Sequence, residues 1–196
     1  MTTTLWIVLG LIVVVVGYVW MTYNFFVGAL IRIKASIQEI GNQLKRQADL
    51  IPNLETSTKA YLRHEKGIFQ DLTNARKLVA EAQKSGNLAK AEEASRLLSQ
   101  VLPKINVLVE DNPEMKGADV IRQLMDELRD TSDKVMYSRR TLIDLTADYN
   151  TARVQFPSSI IAGVWGFKEE KGLASPASGE HLEVTEAETK TPEVKL

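Results

Sequence analysis

Residues Leu5 to Val27 read LWIVLGLIVVVVGYVWMTYNFFV, and no charged side chain occurs before Arg32. At a rise of about 1.5 Å per residue this run is long enough to cross a hydrocarbon core of roughly 30 Å. Lipid offers the backbone no hydrogen bonds, so the form expected there is a helix. Trp6 stands near one end, and Trp20, Tyr23, Phe25 and Phe26 near the other, where aromatic belts form. Leu5, Trp6, Trp20, Tyr23 and Phe26 are therefore read as the membrane anchor. A cleaved signal peptide is the competing reading. It requires a basic start, a shorter apolar core and a small-residue cleavage site. Met1-Thr2-Thr3-Thr4 has no basic residue and no A-x-A pattern follows the run, so an uncleaved anchor is expected.

Basic residues appear only on the C-terminal flank: Arg32 and Lys34, then Lys45 and Arg46. The positive-inside rule places Met1 outside and the remainder in the cytoplasm. A juxtamembrane basic residue attracts an anionic surface by about 1 kcal/mol. Arg32 and Lys34 can serve that role, but four charges spread this widely read first as a topology determinant.

The rest of the 196-residue chain is read as helices. Ile33, Ile37, Ile40 and Leu44 form one stripe at 4-3-4 spacing. Pro52 cannot donate to the helical ladder, so the helix should end or kink there. A second stripe runs Leu54, Thr58, Tyr61, Glu65, Ile68, Leu72, Ala75, Val79, Ala82, and Ser85-Gly86-Asn87 closes it. A third holds Ala94, Leu98, Val101, Ile105 and Leu108, with a bend expected at Pro103. A loop is expected from Asp111 to Gly117. The fourth stripe holds Ile121, Leu124, Leu128, Thr131, Val135, Ser138, Leu142, Leu145, Tyr149 and Ala152.

No convincing strand alternation follows the anchor. The expected fold is all-α: a single-pass transmembrane helix, then an antiparallel up-and-down bundle of three or four long helices. The polar stripe members Thr58, Glu65, Thr131 and Ser138 are read as rim positions, or else as a partner seam. The expected divisions are a tail at 1–4, the span at 5–27, the bundle at 28–167 and a disordered acidic tail at 168–196. That last stretch has no aromatic residue and too few large apolar ones to offset its ordering entropy.

Composition excludes much. There is no Cys, so disulfides and thiol chemistry are out. The 24 basic and 25 acidic residues nearly cancel, unlike the basic excess of a nucleic-acid binder. His64-Glu65 lacks a second His at position 68, which is Ile, and neither His64 nor His181 follows a Glu by three residues. Zincin and di-iron patterns therefore fail. There is no phosphate-binding glycine loop and no nucleophile elbow. Neither a catalytic residue, a metal, a cofactor nor a small-molecule substrate is expected.

Two blocks remain. In Leu50-Ile51-Pro52-Asn53-Leu54 a mechanical role is expected, with Asn53 capping the next helix. Phe156 to Phe167 (FPSSIIAGVWGF) is uncharged, and Ser158 or Ser159 could cap a short helix. It either packs back on the bundle as core, or presents Phe156, Pro157, Ile160, Ile161, Trp165 and Phe167 to the membrane or a neighbouring subunit.

These blocks carry a family resemblance. Tyr23-Asn24 with Val27, the stretch from Gln43 to Leu54 with Tyr61, His64-Glu65 and Ala75-Arg76, and Phe156 to Gly163 with Gly166-Phe167-Lys168 resemble the LemA family. The likeness runs from about Tyr23 to Lys168. Its central signature falls on Leu44, Lys45, Arg46, Asp49, Leu50, Ile51, Pro52, Asn53, Leu54, Tyr61, His64 and Glu65. The usual Trp near Ala35 to Gln38 is absent, which marks a divergent member. The resemblance implies a bacterial, N-out, single-pass protein with a cytoplasmic helical bundle and no established catalytic activity. The expectation is a membrane-anchored scaffold that self-associates or recruits a membrane-protein partner. The alternative is an adaptor binding a peptide or protein that serves a membrane protease or envelope stress system.

Overall fold

The computed structural model describes residues 2–59, 61–62, 65–112 and 117–171. His64, the tail from 172 with His181, and residues 113–116 of the loop expected after Asp111 lie outside the described residues. Five helices follow in order: α1 (Thr2–Thr58), α2 (Lys66–Ser85), α3 (Leu88–Asp111), α4 (Ala118–Val154) and α5 (Ser158–Trp165). No strand occurs among the described residues.

The span and the first bundle helix are one rod. α1 is about 85 Å long at 1.5 Å per residue. Its window of greatest hydropathy is not buried at all inside the protein. A core helix of a soluble protein would be covered. An uncovered apolar stretch of this length needs lipid around it.

From Phe26 onward α1 turns one face inward: Phe26, Ala29, Ile33, Ile40, Leu44, Gln47, Ile51, Leu54 and Thr58 are buried. This alternating 3-4 spacing favours shallow antiparallel packing on α4, which buries Ile121, Met125, Leu128, Val135, Leu142 and Tyr149. α1 pairs with α4, α4 with α3, α3 with α2 and α2 with α1, an antiparallel ring of four helices. Ile37, placed on the inner stripe by spacing, stands at its edge and is exposed.

Pro52 does not end the first helix. α1 continues through it to Thr58, and Pro103 likewise lies inside α3. A helical proline removes one donor, and here Ile51 and Leu54 on either side are fully buried, so packing outweighs that loss. Asn53 is accordingly not a cap: its Nδ2 donates to the Asp49 carbonyl at 3.2 Å within α1. The second stripe is broken instead between Thr58 and Lys66. The Tyr61 and Leu62 amides both donate to the Thr58 carbonyl there, and Leu62 is buried.

The α2–α3 turn follows its sequence. Gly86 takes a left-handed conformation (φ 63°) that a side chain would strain. The Asn87 side chain then accepts from the Ala89 and Lys90 amides as a helix cap.

The rim reading of the polar stripe residues is corrected for three of the four. Thr58, Thr131 and Ser138 are buried in the bundle, while Glu65 is exposed. Thr58 and Thr131 are tolerated inside because each hydroxyl donates to a carbonyl of its own helix, at 2.7 and 2.8 Å.

The helices differ in reach. α2 extends about 30 Å back from the far end, whereas α1 runs about 48 Å from Phe26 to Thr58. The α2–α3 turn therefore stops about 18 Å short of Phe26. Over most of that interval α1 packs chiefly on α4, its most extensive partner, forming a narrower neck between the span and the four-helix head.

Candidate functional site

The place where neck meets span is built from distant pieces of chain. Phe26 of α1 stacks on Phe167, centroids 4.8 Å apart, and meets Tyr149 of α4 edge-on at 5.5 Å. Tyr23 touches both Trp165 and Phe167, each at 5.8 Å. Phe26 is thus fully enclosed by protein rather than facing lipid as part of the anchor, because α4 and the segment after α5 close over it. Leu5, Trp6 and Trp20 are exposed as an anchor requires, and Tyr23 is only just so.

α4 ends at Val154, and a cis Phe156–Pro157 peptide leads into α5. Neither serine caps α5 through its side chain. Pro157 holds the cap position, and the Ser158 hydroxyl reaches back to the Ala152 and Gln155 carbonyls at 2.6 and 2.8 Å. At the other end Gly166 (φ 70°) reverses the chain, and the Phe167 amide closes onto the Ala162 carbonyl at 2.9 Å. That reversal delivers Phe167 to Phe26.

The packed part continues past Phe167. The Tyr149 hydroxyl donates to the Lys168 carbonyl at 2.8 Å. The Asn150 side chain grips the Glu170 backbone twice, donating to its carbonyl at 2.8 Å and accepting from its amide at 3.1 Å. Arg153 pairs with Glu169 at 3.3 Å. The tail boundary expected at 168 is therefore moved to at least Lys171. Burial, with the Glu170 charge adding to it, pushes the Tyr149 hydroxyl above its ordinary pKa of 10.0, while Arg153 opposes the shift.

Of the residues in the C-terminal block, Ile161 and Ala162 are buried and Phe167 is half-buried, so these belong to the bundle. Phe156, Pro157, Ile160, Val164 and Trp165 are exposed. The block divides into an inner and an outer face, and the outward contact expected of Ile161 and Phe167 falls to the others.

Arg32 and Lys34 are both exposed on the neck. Arg32 lines a cleft of about 170 Å³ between α1 and α4 with Asn24 and Asp148. The central signature lies on the last third of α1, far from the span. Leu44, Ile51 and Leu54 are core, Leu50 and Pro52 are half-buried, and Lys45, Asp49 and Asn53 face outward. Arg46 crosses to Glu127 of α4 at 3.2 Å. Tyr61 packs against the core, and Glu65 starts the turn into α2.

The sequence reading missed Glu55. It is buried, it pairs with Arg76 of α2 at 2.7 Å, and its second oxygen has no partner among the described residues. The Arg76 in the signature was its signal. Gln47 was also missed: fully buried, it donates to Ser132 of α4 at 3.2 Å while its oxygen has no partner among the described residues. At the far end Lys59, Lys66 and Lys77 surround Leu62 and Phe69 in a groove of about 450 Å³, with no acidic residue among the described residues of its lining. Among the described residues no group of three His, Asp or Glu could hold a metal.

The model of the LemA family matches residues 36–195. The chain belongs to the LemA family. The match begins on α1 beyond the span and takes in the rest of the bundle, the C-terminal block and the stretch after it in this LemA protein. It is also similar to the magnetosome protein MamQ of Magnetospirillum gryphiswaldense (strain MSR-1), at 25% identity, over 82% of this chain and 67% of that protein.

Proposed function

We propose that this LemA protein is a non-catalytic, membrane-anchored scaffold that organises or shapes membrane by helical self-association or by recruiting a membrane-protein partner. Membrane lipid and a second copy of the chain are its first partners, with no nucleic acid, cofactor or small-molecule substrate. Its N-terminus lies outside a bacterial cell membrane and its bundle in the cytoplasm, a placement supported by Arg32 and Lys34 on the bundle side of the span. Likeness to a magnetosome protein supports a role at a membrane.

The observation that carries this reading is the neck. α1 passes from span to bundle without a hinge, and apolar Ile31 and Ile37 on the neck, with Met136 and Tyr137 of α4 where the neck joins the head, are exposed. A narrow neck buries little surface by itself, and a second neck laid alongside would cover these side chains. The test is the mass of full-length protein in mild detergent. A defined oligomer that dissociates on Ile37→Glu with Tyr137→Glu is expected. A monomer at every concentration would overturn self-association.

The distal groove favours the second reading, an adaptor for an acidic peptide of a membrane protease or envelope stress system. Three lysines about an apolar floor suit such a segment. A monomer that gains mass only with a captured partner would support it.

A further inference from the structure

α5 sits beside the span, not beside the soluble head. Its first residue, Ser158, shares a cleft of about 320 Å³ with Tyr18, Met21, Thr22 and Phe25. Its last residue, Trp165, touches Tyr23. Eight residues make a helix about 12 Å long. Were α5 parallel to α1, its ends would meet α1 about eight residues apart. Instead the Ser158 cleft runs over Tyr18 to Phe25 and Trp165 meets Tyr23 within that same stretch, so α5 lies across α1 rather than along it.

That height is telling. Tyr23 is about 26 Å along α1 from Trp6, close to one hydrocarbon thickness, and about 14 Å before the first charge at Arg32. No charged side chain occurs between Arg153 and Lys168. Around α5 the inner face, Ile161 and Ala162, is buried on the bundle. The outer face remains apolar: Ile160 and Val164, spaced by four, are 59% and 73% exposed, with Trp165 beside them and Phe156, 78% exposed, just before the helix. A helix apolar on both faces is stable only where both are covered. Protein covers one, and the neighbouring span dictates what covers the other.

We propose that α5 lies in the plane of the membrane interface, its outer face of Ile160, Val164 and Trp165, with Phe156 just before it, seated in the headgroup–acyl boundary of the lipid bilayer. The bundle then meets the membrane at two places, a span through it and a short helix on it. The Tyr23–Trp165–Phe167 contacts fix the angle between them, which holds the neck upright. This rests on the reading of α1 as a span.

The experiment uses the full chain in phosphatidylcholine–phosphatidylglycerol vesicles, with lipids brominated either near the headgroup or deep in the acyl chain. Of the three tryptophans, W6F/W20F leaves Trp165 alone and W6F/W165F leaves Trp20 alone. The shallow bromine is expected to quench Trp165 at least twofold, and more than the deep one does. I160D/V164D, both at exposed positions, should keep the helical circular dichroism and lose most of the quenching. Quenching of Trp20 but not Trp165 overturns the proposal and leaves the anchor standing. No quenching of either overturns the anchor as well. Blue-shifted Trp165 emission without quenching would place a second copy over this face, which also overturns it.

Discussion

The membrane end of the bundle and the α2–α3 hairpin are held by opposite means. The hairpin packs on small side chains: Ala75, Ala82, Ala91 and Ala94 are all buried, and its turn is closed by Gly86 and Asn87. Small residues bring two helix axes close, and the joint needs little more. At the membrane end three elements converge and leave a wide gap. It is filled by the rings of Tyr23, Phe26, Tyr149, Trp165 and Phe167. One region tolerates no added volume, and the other tolerates no loss of it.

The largest effect should come from emptying the wide joint. Phe26→Ala removes a ring enclosed by Phe167 and Tyr149 and should cost about 3–5 kcal/mol, read by denaturant unfolding of the detergent-solubilised protein. Filling the narrow joint comes next. Ala94→Leu pushes extra carbons between α2 and α3 and should cost about 1–3 kcal/mol. If Ala94→Leu were neutral, close hairpin packing would lose its main support.

The smallest effect isolates the clasp after α5. Tyr149→Phe keeps the ring and loses the hydroxyl donated to Lys168, for about 1 kcal/mol at neutral pH. The neutral hydroxyl is favoured in the folded state, so its contribution is complete below the ordinary tyrosine value. It is lost as pH rises through the higher folded value. The stability gap between wild type and Tyr149→Phe should therefore shrink above about pH 10. A gap that widened there would reverse the sign assigned to the Tyr149 environment.

Most of the core was legible because a stripe is a property of one helix at a time. Leu72, Ala75, Val79 and Ala82 were placed by spacing alone, as were Ile121, Leu128, Val135, Leu142 and Tyr149, and all are buried. The errors share a cause. At Pro52 an end and a kink both stayed open because its missing donor is a local fact, while the packing of Ile51 and Leu54 that carries the helix past it is not. Thr58 and Thr131 looked like rim residues because their hydroxyls are polar, and the carbonyls that satisfy them become available only once the helix has formed. Phe26 read as anchor because its neighbours in sequence are anchor residues.

The order of residues along the chain determined the greasy span, the inward faces of the four long helices and the glycine turn at Gly86, since each depends on neighbours within a turn or two. Folding in three dimensions decided where α1 stops, that Phe26 finds Phe167, and that α5 lies crosswise at the level of Tyr23. Those outcomes depend on which surfaces remain uncovered once the helices have docked, and residues so far apart leave no local pattern that announces their meeting.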